Sequence, residues 1–162
     1  MNVLALDLST KSTGFCVGKD GTIQDHGLVV ATSRDVVKRI IKIRDRIQEL
    51  VDEYDIDVMV MEEVRPEYNS HTNKVLMWLQ AAVVIAAVEE NDKVQYEFIG
   101  ASQWRAALKM KQGRGVTRDQ LKPQSINYVK DHYGWSVNDD EAEAICIFDA
   151  YCEEFNNEIN WG

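Results

Sequence analysis

Cysteine is scarce and unpatterned in this chain of 162 residues: Cys16, Cys146 and Cys152 are odd in number and show no C-x-x-C spacing. That excludes a disulfide framework and a structural zinc site, and leaves three small apolar residues suited to a core in a reducing compartment. Long apolar runs are lacking too, so no stretch is expected to span a bilayer. No charged leader or cleavage site precedes the first apolar segment, which gives the expectation of a cytoplasmic protein. Internal repeats, low-complexity tracts and linkers are also missing. With 45% hydrophobic and 28% charged residues, a single globular domain over residues 1–162 is expected.

Positive charge is in short supply. A net charge of −9 speaks against a nucleic-acid partner, because phosphate contacts come from Lys and Arg. The distribution changes that reading. Residues 131–162 hold nine acids and no Lys or Arg, whereas 101–130 hold Arg105, Lys109, Lys111, Arg114, Arg118, Lys122 and Lys130 against the single acid Asp119. Such a basic segment in an acidic chain is either a solvated helical face or a local anion site.

What is present is organised around Val3 to Val17. An apolar run ends on Asp7, turns through small polar residues and becomes apolar again, which predicts a buried strand, a turn using Gly14 and a returning strand. Lys19-Asp20-Gly21-Thr22 predicts a hairpin into a third strand, Thr22 to Val30, toward the sheet edge. From Ser33, a good N-cap, apolar residues recur at helical spacing to Val51. Ile56 to Met61 predicts a fourth strand, with Val58, Val60 and Glu62 on one face and Met59, Met61 and Glu63 on the other. After a loop marked by Pro66 and Asn69 comes a helix over about 73–89, apolar on more than one face, either deeply buried or shared with a partner subunit. Val94 to Ile99 predicts a fifth strand, and Ser102 caps a short helix. Lys109 to Thr117 predicts a loop. A helix over about 119–132 is interrupted or begun near Pro123. The last runs from Asn138 to about Glu158, with Ala144, Ile147, Phe148, Tyr151 and Phe155 on its core stripe.

This order predicts an α/β fold: a five-stranded mixed sheet, three antiparallel strands then two parallel, with helices on both faces. A carboxylate at the end of a buried strand asks for a partner, or serves only as a turn residue bonding nearby amides. Glu62 ends a second buried strand in the same way. Asp140 and Glu143 lie on or beside the buried stripe of the last helix, whereas Asp139 and Glu141 suit acids placed at a helix start by the macrodipole. If the first and fourth strands run parallel, all four carboxylates meet at the carboxyl edge of the sheet. They stay ionised only with a cation among them, and hard oxygen donors select Mg²⁺ or Mn²⁺.

These residues resemble the RuvC-type Holliday junction resolvases of the RNase H-like nuclease superfamily, in a divergent phage-encoded form, from Val3 to about Tyr151. Asp7 with Thr13-Gly14 matches the first-strand acid and its turn. Met61-Glu62-Glu63-Val64 matches the strand-end Glu, Asp140-Glu141-Ala142-Glu143-Ala144 the closing acid pair, and Lys122-Pro123-Gln124 the penultimate-helix lysine. The chain departs from the pattern in having Leu8-Ser9 for Pro-Gly, Glu143 for the second Asp, and Arg65 where an aromatic residue stacks on the junction.

The resemblance implies a metal-dependent endonuclease that cuts branched DNA as a homodimer. The surface expected to join the two copies is the helix over about 73–89, whose apolar positions exceed one buried stripe and whose Ala81, Ala82, Ala86 and Ala87 allow close helix approach, with Leu76, Met77 or Trp78 adding larger contacts. The resemblance also implies two ions held by Asp7, Glu62, Asp140 and Glu143, with Lys122 stabilising charge on the scissile phosphate. Arg105, Lys109, Lys111, Arg114 and Arg118 are then expected to position the backbone, and Arg65 or Tyr68 to supply the wedge. A second reading is a catalytically silent branched-DNA binder or an acidic interaction module of the same fold. Actin-like ATPases and sugar kinases also carry an Asp-ended first strand, but they need two such domains.

Overall fold

Val3 to Leu6 are buried in β1 (Asn2–Asp7), the middle strand of a five-stranded sheet. The computed structural model describes residues 1–64 and 70–160, with side chains as far as 154. β1 pairs antiparallel with β2 (Ser12–Lys19), which pairs antiparallel with the edge strand β3 (Thr22–Val30). On its other side β1 runs parallel to β4 (Val58–Glu62), and β4 parallel to the second edge strand β5 (Gln95–Ile99). The spatial order is β3-β2-β1-β4-β5, the mixed sheet expected from the sequence. Asp20 and Gly21 join β2 to β3 with φ of 50° and 79°, the two left-handed residues whose twist suits a two-residue hairpin.

Side-chain alternation divides the sheet between two cores. Leu4, Leu6, Met59 and Met61 pack under α1 (Val36–Glu53) and α2 (His71–Glu90). Val3, Ala5, Val58 and Val60 belong to the opposite core, with the buried residues of α5 (Asp139–Asn160). α3 (Ala101–Ala107) and α4 (Arg118–Tyr133) pack against α5 on that side. Ala144, Ile147, Phe148 and Tyr151 form the expected stripe of α5, and Phe155 lies outside the described side chains.

Local capping differs from the sequence reading. Asp35, not Ser33, caps α1, accepting from the amides of Val37 and Lys38, while the Ser33 hydroxyl accepts from Asp35. Gly100 precedes α3, so Ser102 is inside the helix. α4 starts at Arg118 and runs through Pro123 without ending there.

α2 resolves its two-sided apolarity by burying Val75, Leu79, Val83, Ala86 and Ala87 while exposing Met77, Trp78, Ile85 and Val88. Ala86 and Ala87 therefore serve the core of this chain, and Leu76 packs inward against it. By length and composition α2 is also apolar enough to cross a bilayer, contrary to the expectation that no stretch would be. Its buried stripe instead packs in the core it shares with α1.

Two glycines of β2 set the distance to α5. Gly14 is the cross-strand partner of Asp7, and a Cβ there would lie 2.0 Å from the Asp140 carbonyl oxygen. Gly14 therefore serves close approach of a helix, not the turn expected of it. A Cβ at Gly18 would meet the Phe148 ring at 2.1 Å. Larger residues at either position would lift α5 off the sheet.

Candidate active site

Asp7 and Glu62 end the two neighbouring parallel strands β1 and β4. Alternation puts Asp7 on the face of Val3 and Ala5, and Glu62 on the face of Val58 and Val60, which is the side covered by α5. The first turn of α5 sits directly on Gly14 and so brings Asp140 and Glu143 to the same corner. Asp7 and Glu143 share a hydrogen bond, and the charges of Glu143, Glu62 and Asp140 all act on Asp7. The local reading of Asp7 as a turn residue fails here, because the Thr13 hydroxyl organises that turn: it accepts from Ser9 N and donates to Ser9 O, at 3.1 and 2.7 Å.

The electrostatics follow from this crowding. Burial, and then the three neighbouring acids, push the Asp7 carboxyl well above its ordinary value. Glu143 is raised by burial and by Glu62, with Asp7 and Arg105 acting in the opposite sense. Asp140 is raised by burial and by Asp139, offset by a hydrogen bond from Ser12. The remaining acids of the α5 first turn have other partners. Asp139 accepts from Lys122 Nζ at 2.8 Å, which lowers its pKa and raises that of the lysine. Glu141 binds the His26 ring on β3.

α3 sends two side chains into the corner. Trp104 is fully buried and its indole Nε1 donates to Glu62 Oε2 at 2.8 Å. Arg105 lies over the Trp104 ring at 4.6 Å, with its Nη2 3.9 Å from Glu143 Oε1 and its Nε buried without a partner. Sequence reasoning did not single out Trp104 as a site residue; an indole N–H needs an acceptor when buried, and Glu62 at the end of β4 supplies it.

The other basic residues do not form one cluster. Lys109, Lys111 and Arg114 are exposed on the loop between α3 and α4, whose start is clamped by Gln124, accepting from Lys111 N and donating to Lys111 O. Arg118 opens α4 and lines a separate groove beside the turn after β1. Arg65 and Tyr68 lie outside the described residues. A small cleft of about 280 Å³, lined by Asp7, Glu62, Glu63 and Asn73 among others, forms the mouth of the acidic corner.

Four carboxylates without thiolate or imidazole are the donor set of a hard divalent cation, and here they are gathered around Asp7, whose carboxyl is raised first by burial and then by the charges of Glu143, Glu62 and Asp140. In kind, the residues fit such an ion. Among the described residues no three acidic, His or Cys side chains are already drawn together tightly enough to enclose one.

The sequence matches the family described as Lactococcus phage M3 protein over residues 1–154. The chain belongs to that family. No curated protein matches the sequence. Among solved structures, this member of the Lactococcus phage M3 protein family is similar to Thermus thermophilus RuvC. With RuvC in complex with a Holliday junction substrate it shares 17% identity at a TM-score of 0.74, covering 97% of this chain and 96% of that one. A second structure of the same RuvC gives 18% and 0.74, with 98% and 97% covered. The yeast mitochondrial Holliday junction resolvase gives 15% and 0.56, over 93% of this chain and 77% of the other. At these identities the likeness establishes the fold: the family member has the RuvC-type, RNase H-like arrangement.

Proposed function

We propose that this protein is a metal-dependent endonuclease that cuts branched DNA such as four-way junctions, acting in the host cytoplasm as one nuclease domain per chain. The observation that carries the reading is the convergence of Asp7, Glu62, Asp140 and Glu143 from two strands and a helix, in a fold shared with a RuvC solved on a Holliday junction. These four carboxylates would hold Mg²⁺ or Mn²⁺, one or two ions. When bound, such ions lower the pKa of a water nucleophile and neutralise a leaving oxygen in an in-line displacement.

The chain's own residues supply the rest. Asp7, on which the charges of the other three acids act, would be a principal ligand of any ion held there. Trp104 holds one oxygen of Glu62 and so fixes which way that carboxylate points. Lys122, exposed and tethered to Asp139, would meet a scissile phosphate, and Arg105 would offset the acidic charge beside Glu143. Lys109, Lys111 and Arg114 project from the neighbouring loop as backbone contacts. Arg65 and Tyr68 remain the candidates for a wedge.

A four-way junction presents two equivalent strands, and a two-fold dimer places two sites at matching positions. The exposed stripe of α2, with Met77, Trp78, Ile85 and Val88, supports a homodimer built on that helix. The test is a panel of labelled DNAs (four-way junction, flap, linear duplex and RNA–DNA hybrid) incubated with Mg²⁺ or Mn²⁺. Preferential cutting of the junction is expected. Junction binding without cutting in either metal would favour the silent binder instead.

A further inference from the structure

The turn after β1 borders a groove of about 440 Å³ that the carboxylate cluster does not use. Its floor is aliphatic: Leu8, Val36, Val75 and Leu76. Its rim carries Lys11, Arg39, His71 and Arg118, and none of its described lining residues is acidic. In a chain of net charge −9, a concavity with this lining is a selective feature. It also adjoins the acidic mouth, because Leu8 and Leu76 line both. Arg39 is held by donation from Nη1 to the carbonyls of Ser33 and Arg34, at 2.8 and 3.3 Å, while its buried Nε has no partner. The guanidinium is thus held in place at the edge of the groove.

We infer that this groove binds an unpaired nucleotide of the DNA strand that passes through the carboxylate cluster, with phosphate on the cationic rim and base and sugar on the aliphatic floor. The combination decides the occupant. A basic rim alone would suit any phosphate backbone; the aliphatic floor beside it offers burial to a base whose face is free, as in single strands and opened branch points, and none to a base stacked inside a duplex. The volume lies within the range of small-ligand clefts. The direction of the strand rests on the nuclease reading; binding in the groove does not.

The test uses the full chain in EDTA, where binding is read without cleavage. Fluorescent oligothymidylate and a duplex of equal length are titrated by anisotropy at several salt concentrations against wild type, Lys11→Gln, Lys11→Gln/Arg118→Gln and Val36→Glu. Circular dichroism verifies the fold of each variant. Lys11 and Arg118 are exposed, so their loss leaves the core intact. Wild type is expected to prefer the single strand. Each lost phosphate contact should reduce the slope of log affinity against log salt by about 0.7, and Val36→Glu should weaken single-strand binding severalfold. Unchanged slopes in the double variant, or a wild-type preference for duplex, would overturn the groove assignment. If these outcomes coincide with junction cutting, only the groove is lost. If the groove binds as expected but no branched DNA is cut, the nuclease reading falls and the groove stands.

Discussion

Asp7 is raised because burial and three nearby acids all disfavour its ionised form. A carboxyl whose folded-state pKa lies above its unfolded value contributes stability that is fully present below the unfolded value, near 3.8, and lost as pH rises through the folded one. In EDTA the wild-type protein should therefore lose stability as pH rises above 3.8, and Asp7→Asn should flatten that part of the profile and match or exceed wild type at neutral pH. Urea denaturation of both proteins across pH 4–8 measures this; a variant less stable than wild type at pH 7 would show that Asp7 is a structural ion-pair partner. Trp104 acts one step further out. Trp104→Phe removes the donor to Glu62 and, because benzene is smaller than indole, also leaves a small cavity in the core; loss of such an outer partner typically costs about 10–100-fold in metal affinity. Calorimetric titration with Mn²⁺ should register a drop in that range with the fold retained; unchanged affinity would mean the hydrogen bond merely satisfies a buried indole.

Among the elements, the meeting of β2 with α5 fixes the site. Gly14→Ala would drive a methyl into the Asp140 carbonyl, a backbone contact that cannot swing away. A destabilisation of about 3 kcal/mol or more is expected, with weakened metal binding in whatever remains folded; a variant as stable as wild type would show that α5 sits further off than described. The strands, their order and the convergence of Asp7 with Glu62 were legible because alternation and chain order are local signals. The reason for Gly14 was not, since its constraint comes from a helix more than 120 residues later in the chain. Capping failed for a related reason: Ser33 and Asp35 are both competent caps, and which one serves depends on where Ile40 and Ile43 must be buried. The basic segment read as one unit in sequence, yet its residues split between the acidic corner, an exposed loop and the groove beside Lys11, because a short helix and a loop turn them to different sides.

At the scale of the whole molecule, charge and apolar surface are segregated. The acidic corner lies at the carboxyl ends of β1 and β4 and the groove beside the turn after β1, and the outer stripe of α2 presents Met77 and Trp78, each about half exposed. Met77→Glu should therefore give a folded monomer that binds junctions weakly, since a charge would be buried without a partner only in the dimer. Sedimentation of the unmodified protein as a monomer at micromolar concentration, with paired cutting intact, would contradict that assembly. A nuclease built on the four converging carboxylates is the function proposed for this fold. Its most direct test is cleavage of a labelled four-way junction in Mg²⁺ or Mn²⁺ by wild type beside Asp7→Asn, with the fold and junction binding of both proteins verified. Wild type should cut and the variant should bind without cutting; near-normal cutting by folded Asp7→Asn would contradict the account.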